Sequence, residues 1–206
     1  MKIDHIVYAV PNFAAALIDL ETRLGVRPQF GGYHQLKGTK NALLHLGDQC
    51  YLEILAVDED NLEIEAPRWM GVDLIESPKI TRWSLKSLDS SEESALLKAY
   101  HPEMGQIVTG KRATATGDVL TWEMLLPLAS PEVELLPFFT DWQDSSTHPT
   151  DNLEEQCQLL NIQFMHPEPA PIQVVFNRLG LSYSIQTAKV AQIQIEVASP
   201  NGRIII

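Results

Sequence analysis

The chain has 206 residues, of which 45% are hydrophobic and 20% are charged, as in an ordinary globular protein. That length suits one large domain or two small ones that share a core. The net charge of -12 repels phosphate backbones, so we expect no nucleic-acid partner. No apolar run is long enough to cross a membrane, and the sequence opens without the long apolar stretch of a secretion signal, so we expect a cytoplasmic protein.

The chain begins with a predicted strand and helix. Residues 3–10 form an apolar run rich in β-branched side chains, which is typical of a buried strand. Asn12 can cap the helix that follows by accepting backbone N–H bonds, and apolar residues then recur at helical spacing as far as Leu24. Gly25 suits the left-handed position at which many helices end.

Further strands and a connecting loop are expected next. Two or three strands follow the helix, with residues 43–46 and 51–57 as the candidates and a turn at Gly47 between them. Residues 58–78 are acidic and irregular, which indicates a connecting loop with a short helix at 67–70.

The same order of elements recurs from residue 79. A strand is expected at 80–87, and Asp89 with Glu92 forms a capping box that opens a helix through Tyr100. Three more strands and a polar surface loop complete this stretch, at 106–111, 119–126, 135–141 and 143–153 respectively.

A third stretch predicts a strand, a helix and two further strands, at 160–165, 171–179, 188–197 and 203–206. The tetrapeptide Arg-Leu-Gly-Val at 23–26 is echoed by Arg-Leu-Gly-Leu at 178–181, and each ends a predicted helix between strands. This matching context favours an internal repeat. The elements together predict an α+β fold built from repeated strand–helix–strand units.

Four short segments in a fixed order carry a resemblance to a known superfamily. They read IDHIVYAV at 3–10, GGYH at 31–34, GTKN at 38–41 and YLEI at 51–54. In this order they resemble the glyoxalase-like branch of the vicinal oxygen chelate (glyoxalase/bleomycin resistance/dioxygenase) superfamily, over about the first 57 residues. The resemblance implies paired βαβββ modules that form open, curled sheets around a cleft. The expected boundaries are 1–78 for the first module with its connecting loop, 79–153 for the second, and 154–206 for a C-terminal strand–helix–strand extension.

The resemblance also implies a site. In metal-using members, the first strand of a module contributes a His and the last strand contributes a Glu, and His5 and Glu53 occupy those positions here. The pair suits a divalent metal (Zn, Ni, Mn or Fe), with His5 and Glu53 as ligands, or acid–base catalysis by the same side chains. The alternative is a hydrogen-bonded core His with Glu53 as its structural partner.

The second module departs from the metal-binding pattern. Arg82 stands where the resemblance places a His, and Phe138 stands near the position of the second Glu. Arginine is permanently cationic and does not bind metal, so the set of four ligands looks incomplete. Three roles are open for Arg82. It could recognise an anion, it could form an ion pair with Glu53 in place of a metal, or it could lie on the surface at a strand edge.

Other residues are candidates for ligand contact. The polar ones belong to the Gly-rich segment or to a His-Pro pair, and the aromatic ones belong to strands or their ends; they are His34, Thr39, Asn41, Trp83, Trp122, Trp142, Phe138 and His148. Each has an ordinary structural alternative, because polar residues satisfy loop backbones and strand aromatics fill cores.

Two functional hypotheses follow. The first is a glyoxalase-like protein that binds or transforms a small oxygenated, optionally anionic molecule in the cleft between modules, as an enzyme of lyase, isomerase or dioxygenase type. The second is a metal-free small-molecule binding or sequestration protein of the bleomycin-resistance type. A degenerate structural protein that only dimerises is a third option, since residues 204–206 could complete a sheet or pair with another chain. The sequence has no P-loop, GxGxxG, GxSxG or HExxH motif, which weakens nucleotide, hydrolase and protease interpretations.

Overall fold

A computed structural model describes residues 1–113, 119–143 and 147–206. The strands are β1 Ile3–Ala9, β2 Gln29–His34, β3 Thr39–His45, β4 Tyr51–Val57, β5 Lys79–Lys86, β6 Ile107–Ala113, β7 Val119–Leu125, β8 Phe138–Asp141, β9 Gln158–His166, β10 Ile185–Thr187, β11 Gln192–Ser199 and β12 Gly202–Ile205. The helices are α1 Phe13–Leu24, α2 Ser90–Tyr100 and α3 Pro169–Arg178. Short 3₁₀ segments lie at Gln35–Lys37, Trp69–Leu74 and Pro149–Asn152.

The capping signals in the sequence are confirmed. The side chain of Asn12 accepts a hydrogen bond from the backbone N–H of Ala15 at 3.0 Å, and Gly25 adopts the left-handed conformation with φ 74° after α1. Asp89 accepts from the backbone N–H groups of Ser91 and Glu92, so both helices begin where the sequence predicts. The predicted capping box with Glu92 is wrong in its second residue, because Glu93 is the side chain that accepts from a preceding backbone N–H, that of Leu88. Each helix therefore starts and ends for a local reason, which is why the sequence alone locates it.

Two matching halves form the main sheet. Its strand order is β2-β3-β4-β1-β5-β8-β7-β6, with β1 and β5 antiparallel at the centre. Each half has the same order outward from its central strand, and β4 runs parallel to β1 as β8 does to β5. This symmetric, curled, open sheet with its helices is the predicted α+β arrangement of paired βαβββ modules.

A second sheet with order β10-β9-β11-β12 follows in the chain. It packs against the outer face of the main sheet, where Trp83 of β5 contacts the rings of Phe164, Phe176 and Tyr183. The apolar C-terminus completes this sheet, since Ile206 and Ile195 exchange backbone hydrogen bonds at 2.9 and 3.0 Å. The short strand β10 is an element that the sequence did not predict.

The inner face of the main sheet forms a cleft that is partly filled. Val7 of β1, Leu55 of β4 and Phe138 of β8 are fully buried on this face, beneath the segment Trp69–Ile75, which we call the plug segment. The predicted connecting loop therefore contributes buried apolar side chains to the cleft.

The prediction of a surface loop at 143–153 is wrong in part, and residues 144–146 of it lie outside the described residues. Pro149 and Thr150 are buried, and the side chain of His148 reaches the start of β1, because Asp4 Oδ2 lies 3.2 Å from its Nε2. Among the residues that the structure describes, no helix combines the length and the apolar character needed to cross a membrane.

Candidate functional site

His5 and Glu53 lie on neighbouring strands with their side chains on the same face. β1 and β4 are parallel, His5 lies opposite Tyr51, and Glu53 is two residues further along β4. The Nε2 atom of His5 and the Oε2 atom of Glu53 are 3.9 Å apart, which is too long for a hydrogen bond. Both residues are almost fully buried, with 3% and 6% of their surface exposed. The His5 ring is held by stacking on Tyr51 and by an edge contact with Phe138.

The other oxygen of Glu53 belongs to a polar network with the Gly-rich segment. Asn41 Nδ2 donates to Glu53 Oε1 at 2.7 Å and lies 3.4 Å from His34 Nε2. His34 Nδ1 is 3.0 Å from the hydroxyl of Thr39. The residues singled out in this segment therefore converge on Glu53 from β2 and β3.

Gly31 has a steric role beside this network. A Cβ atom at Gly31 would lie 2.5 Å from Asn41 Oδ1, well inside contact distance. The glycine therefore gives the Asn41 amide the space to lie beneath Glu53, and this amide oxygen has no hydrogen-bond partner in the described structure. The sequence signal for this contact was the glycine pair itself.

Asp4 is a buried carboxylate that the sequence did not single out. Its Oδ1 lies 2.7 Å from His5 Nδ1, and its Oδ2 accepts from Trp142 Nε1 at 2.8 Å and lies 3.2 Å from His148 Nε2. Strand alternation alone would direct Asp4 away from His5. The pairing of β1 with β5 has an irregularity at this point, between Ile3 and His5, where the carboxylate meets the neighbouring imidazole.

The environment of Asp4 keeps it ionised. Burial raises the pKa of its carboxyl group, but hydrogen bonds from His148 and His5 outweigh burial and hold that pKa well below its ordinary value of 3.8. Cys50 lies near this carboxylate, and burial together with the charge of Asp4 raises the pKa of its thiol to about 12. The thiol is therefore protonated at neutral pH and is no nucleophile.

Acid should weaken the fold through Asp4. Because its pKa is lower in the folded state than in the unfolded chain, its stabilising contribution is complete above pH 3.8 and is lost as the pH falls further. We expect the difference in unfolding free energy between the wild type and Asp4→Asn to shrink below that pH. Urea titrations of both proteins over a pH series measure this difference, and a constant difference would contradict the assignment.

Arg82 does not pair with Glu53. The guanidinium is fully buried and donates to the backbone carbonyls of Thr81, Leu128, Ser130 and Glu132. Neither the predicted ion pair with Glu53 nor the surface position at a strand edge is correct. Because these carbonyls occupy both terminal nitrogens, the predicted role in holding an anion is not supported by the geometry.

Two of the predicted aromatic residues lie on different faces of the sheet. Trp83 belongs to the core between the two sheets, and its Nε1 donates to Leu135 O at 2.7 Å. The prediction that it lines the cleft is therefore wrong, because it points away from His5. Trp122 of β7 is half-buried and contacts the Trp142 ring, whose centroid is 5.8 Å away.

A cavity opens beside the Asp4 cluster. It has a volume of about 350 Å³, and its lining includes Thr140, Trp142 and His148. A second cavity of about 320 Å³ lies at the plug segment, against Arg68 and Trp69. Neither is lined by His5 or Glu53, so these two side chains lie deeper than the open surface.

The pairing of the central strands relates the two modules residue by residue. In this antiparallel pair, His5 lies opposite Ser84 and Val7 lies opposite Arg82. A two-fold rotation about the point midway between these two residue pairs therefore places His5 on the position of Arg82. The same rotation places Val7 on Ser84. Glu53 of β4 pairs with Val7, and Phe138 of β8 pairs with Ser84, so the neighbouring strands follow the same relation. Phe138 is therefore the counterpart of Glu53, at the position that the sequence predicted for it.

Comparison with known proteins agrees with this architecture. The sequence profile of a glyoxalase-like domain matches residues 3–180. The chain belongs to the glyoxalase-like domain family. A crystal structure of a hypothetical protein from Staphylococcus aureus shares the glyoxalase-like fold, with a TM-score of 0.67 and 19% identity, over 93% of this chain and 88% of that one.

Two other solved structures match with lower TM-scores. Methylmalonyl-CoA epimerase from Mycobacterium tuberculosis matches with a TM-score of 0.41 and 14% identity, over 68% of this chain and 85% of that one. Hypothetical protein BH1468 from Bacillus halodurans C-125 matches with a TM-score of 0.44 and 17% identity, over 71% and 97% of the two chains. A comparison with curated proteins found no match.

The residues present do not fit the divalent metal implied for glyoxalase-like proteins. The half-turn that exchanges the modules places Arg82 and Phe138 where two further ligands would be needed, and neither side chain binds metal. In the first module, Asn41 Nδ2 donates to Glu53 Oε1 and lies 3.4 Å from His34 Nε2, so one of the two Glu53 oxygens is already hydrogen-bonded. Within residues 1–113, 119–143 and 147–206, no group of three His, Cys, Asp or Glu side chains is arranged to hold a metal ion.

Proposed function

We propose that this glyoxalase-like protein binds a small oxygenated molecule between His5 and Glu53, without a divalent metal. The distance of 3.9 Å between His5 Nε2 and Glu53 Oε2 carries the proposal. At this separation the two polar atoms do not bond each other, yet one oxygen atom could lie within hydrogen-bond distance of both. A polar group bound there would contact two buried side chains that do not bond each other.

The surroundings of the gap support binding at this place. His5 is fixed by Asp4 and by stacking on Tyr51, and Glu53 is fixed by Asn41, so both binding atoms are held in position before a ligand arrives. The burial of His5 and Glu53 leaves room there for a small group only. The side chain of His34 is 21% exposed and lies 3.9 Å from Glu53, which provides the side from which a ligand enters.

Proton transfer is the chemistry that this pair suits if the bound molecule is transformed. An imidazole and a carboxylate on opposite sides of one group can remove a proton and return it. The isomerase type is therefore the enzymatic form of the proposal, and binding alone is the sequestration form. Incubation of each bound compound in D₂O separates them, since only proton transfer at carbon exchanges hydrogen for deuterium.

A ligand screen in the presence of EDTA tests the proposal. Small hydroxycarbonyl compounds and polyols are expected to raise the melting temperature equally with and without EDTA. Glu53→Gln should remove most of this stabilisation, because Asn41 donates to the amide oxygen and the N–H₂ group of the glutamine then replaces the charged acceptor Oε2 at the gap. Glu196→Gln, on the second sheet, is the matched control and should retain it. Stabilisation that requires added Zn, Ni, Mn or Fe and disappears in EDTA would overturn the metal-free proposal.

A further inference from the structure

The protonation of His148 follows from its neighbours. The backbone N–H of Thr150 donates to His148 Nδ1 at 3.3 Å, and a backbone N–H has no other role than donor. Nδ1 is therefore unprotonated, and the proton of the neutral ring is on Nε2, which faces Asp4. The indole N–H of Trp142 can also only donate, so Asp4 Oδ2 accepts from two donors.

The protonation of His5 follows from Asp4. An ionised carboxylate only accepts hydrogen bonds, so the His5 nitrogen that faces it at 2.7 Å, Nδ1, carries the proton. The neutral ring then presents the lone pair of Nε2 to the gap. Across the gap, Glu53 Oε2 is also an acceptor, and at 3.9 Å it imposes no proton on Nε2. Two acceptors face each other, and neither satisfies the other.

We propose that Asp4 is a positioning residue that holds His5 in the Nδ1–H tautomer, so that the cleft takes its ligand through a hydroxyl group that donates to His5 Nε2. This inference rests on the proposed function, because the ligand occupies the same gap. The ligand class is a neutral, hydroxyl-bearing molecule. A carboxylate or phosphate would meet two acceptors and the charge of Glu53, and the guanidinium of Arg82 is already bound to backbone carbonyls.

Asp4→Asn should move the His5 proton from Nδ1 to Nε2, because of how the hydrogen-bond donors are arranged around position 4. The two donors, Trp142 and His148, lie on one side of the carboxylate, and His5 lies on the other. The side chain in Asp4→Asn therefore directs its oxygen toward the two donors and its N–H₂ group toward His5 Nδ1. That nitrogen must then accept, and the proton of His5 moves to Nε2, which then donates to a ligand oxygen and no longer accepts from a ligand hydroxyl.

Nitrogen-15 NMR of the histidine rings measures the tautomer without any ligand. At alkaline pH, where imidazoles are neutral, the wild type should show His5 with a protonated Nδ1 and an unprotonated Nε2, assigned through the loss of these signals in His5→Gln. Asp4→Asn should exchange the two signals. Trp142→Phe removes a different donor from the same carboxylate and should leave the His5 signals as in the wild type. A wild-type His5 protonated on Nε2, or an unchanged His5 pattern in Asp4→Asn, would overturn the inference, and the wild-type measurement stands even if Asp4→Asn fails to fold.

Ligand affinity separates this inference from the proposed function. The methyl ether of a hydroxyl compound from the screen accepts a hydrogen bond but cannot donate one. It should therefore bind the wild type about tenfold more weakly than the parent compound, the loss expected for one hydrogen bond, and should recover that loss in Asp4→Asn. If the ether binds the wild type as tightly as the hydroxyl compound does, the role of Asp4 in selecting a donating hydroxyl is wrong and the proposed function survives. If the NMR pattern is as expected but only anions bind, Asp4 sets the tautomer while the assigned ligand class is wrong.

Discussion

Replacing Arg82 with Met should reduce the free energy of unfolding by about 3–5 kcal/mol. The guanidinium is fully buried and donates to the carbonyls of Thr81, Leu128, Ser130 and Glu132. Burial lowers the pKa of Arg82 to about 10, so the side chain is still charged at neutral pH. Methionine fills much of the volume but offers no donor, and each buried carbonyl left without a partner costs about 1–3 kcal/mol.

Urea unfolding of the single and double variants tests this prediction. Because Arg82 contacts backbone carbonyls rather than Glu53, the effects of Arg82→Met and Glu53→Gln on the unfolding free energy should add. Arg82→Lys is the control for charge, and it should also destabilise, since one ammonium group cannot reproduce the planar fork that reaches several carbonyls. A coupling energy above about 1 kcal/mol between positions 82 and 53 would revive the ion pair between them.

Much of the fold could be predicted because its signals are local. The caps at Asn12 and Asp89 and the turn at Gly25 act within one turn of a helix, and the structure places α1 and α2 where they indicate. The correspondence of Arg82 to His5 could also be predicted, because each residue lies on the first predicted strand of its module. The strand β10 was missed, since it has only three residues, Ile185–Thr187.

The site was harder to predict because its contacts are distant along the chain. Asp4 and His148 are separated by 144 residues, and no periodicity or motif connects them. Three of the four carbonyl partners of Arg82 lie between 46 and 50 residues away, and no side-chain motif in the sequence indicates them. Residues near the first module were identified together because their segments adjoin in one hairpin, as with Asn41 and Glu53.

One error could have been avoided from the sequence. Arg82 and Trp83 are consecutive in β5, and consecutive side chains in a strand point to opposite faces. They could not both line the cleft, so the alternation in β5 already separated them. The register irregularity that brings Asp4 to His5 is different in kind, since it depends on how β1 pairs with β5 and has no signature in β1 alone.

Replacing Trp83 with Ala should also reduce the free energy of unfolding by about 3–5 kcal/mol, without changing ligand affinity in the protein that remains folded. The indole is fully buried between the two sheets, where it contacts Phe164, Phe176 and Tyr183, and it donates to Leu135 O at 2.7 Å. Its removal leaves a cavity between sheets that are built from separate parts of the chain, so neither sheet can close the space alone.

Trp122→Ala is the matched control for Trp83→Ala, because it removes the same side chain from the cleft face. Trp122 is half-buried and packs on Gly110, so part of the vacated space is filled by water and the stability loss should be clearly smaller. Urea unfolding and ligand titration of both variants compare the two faces of the sheet. Two outcomes would contradict this prediction: equal destabilisation by the two substitutions, or a loss of ligand affinity in Trp83→Ala alone. Either would mean that the core between the sheets and the cleft are energetically coupled, although the central strands separate them.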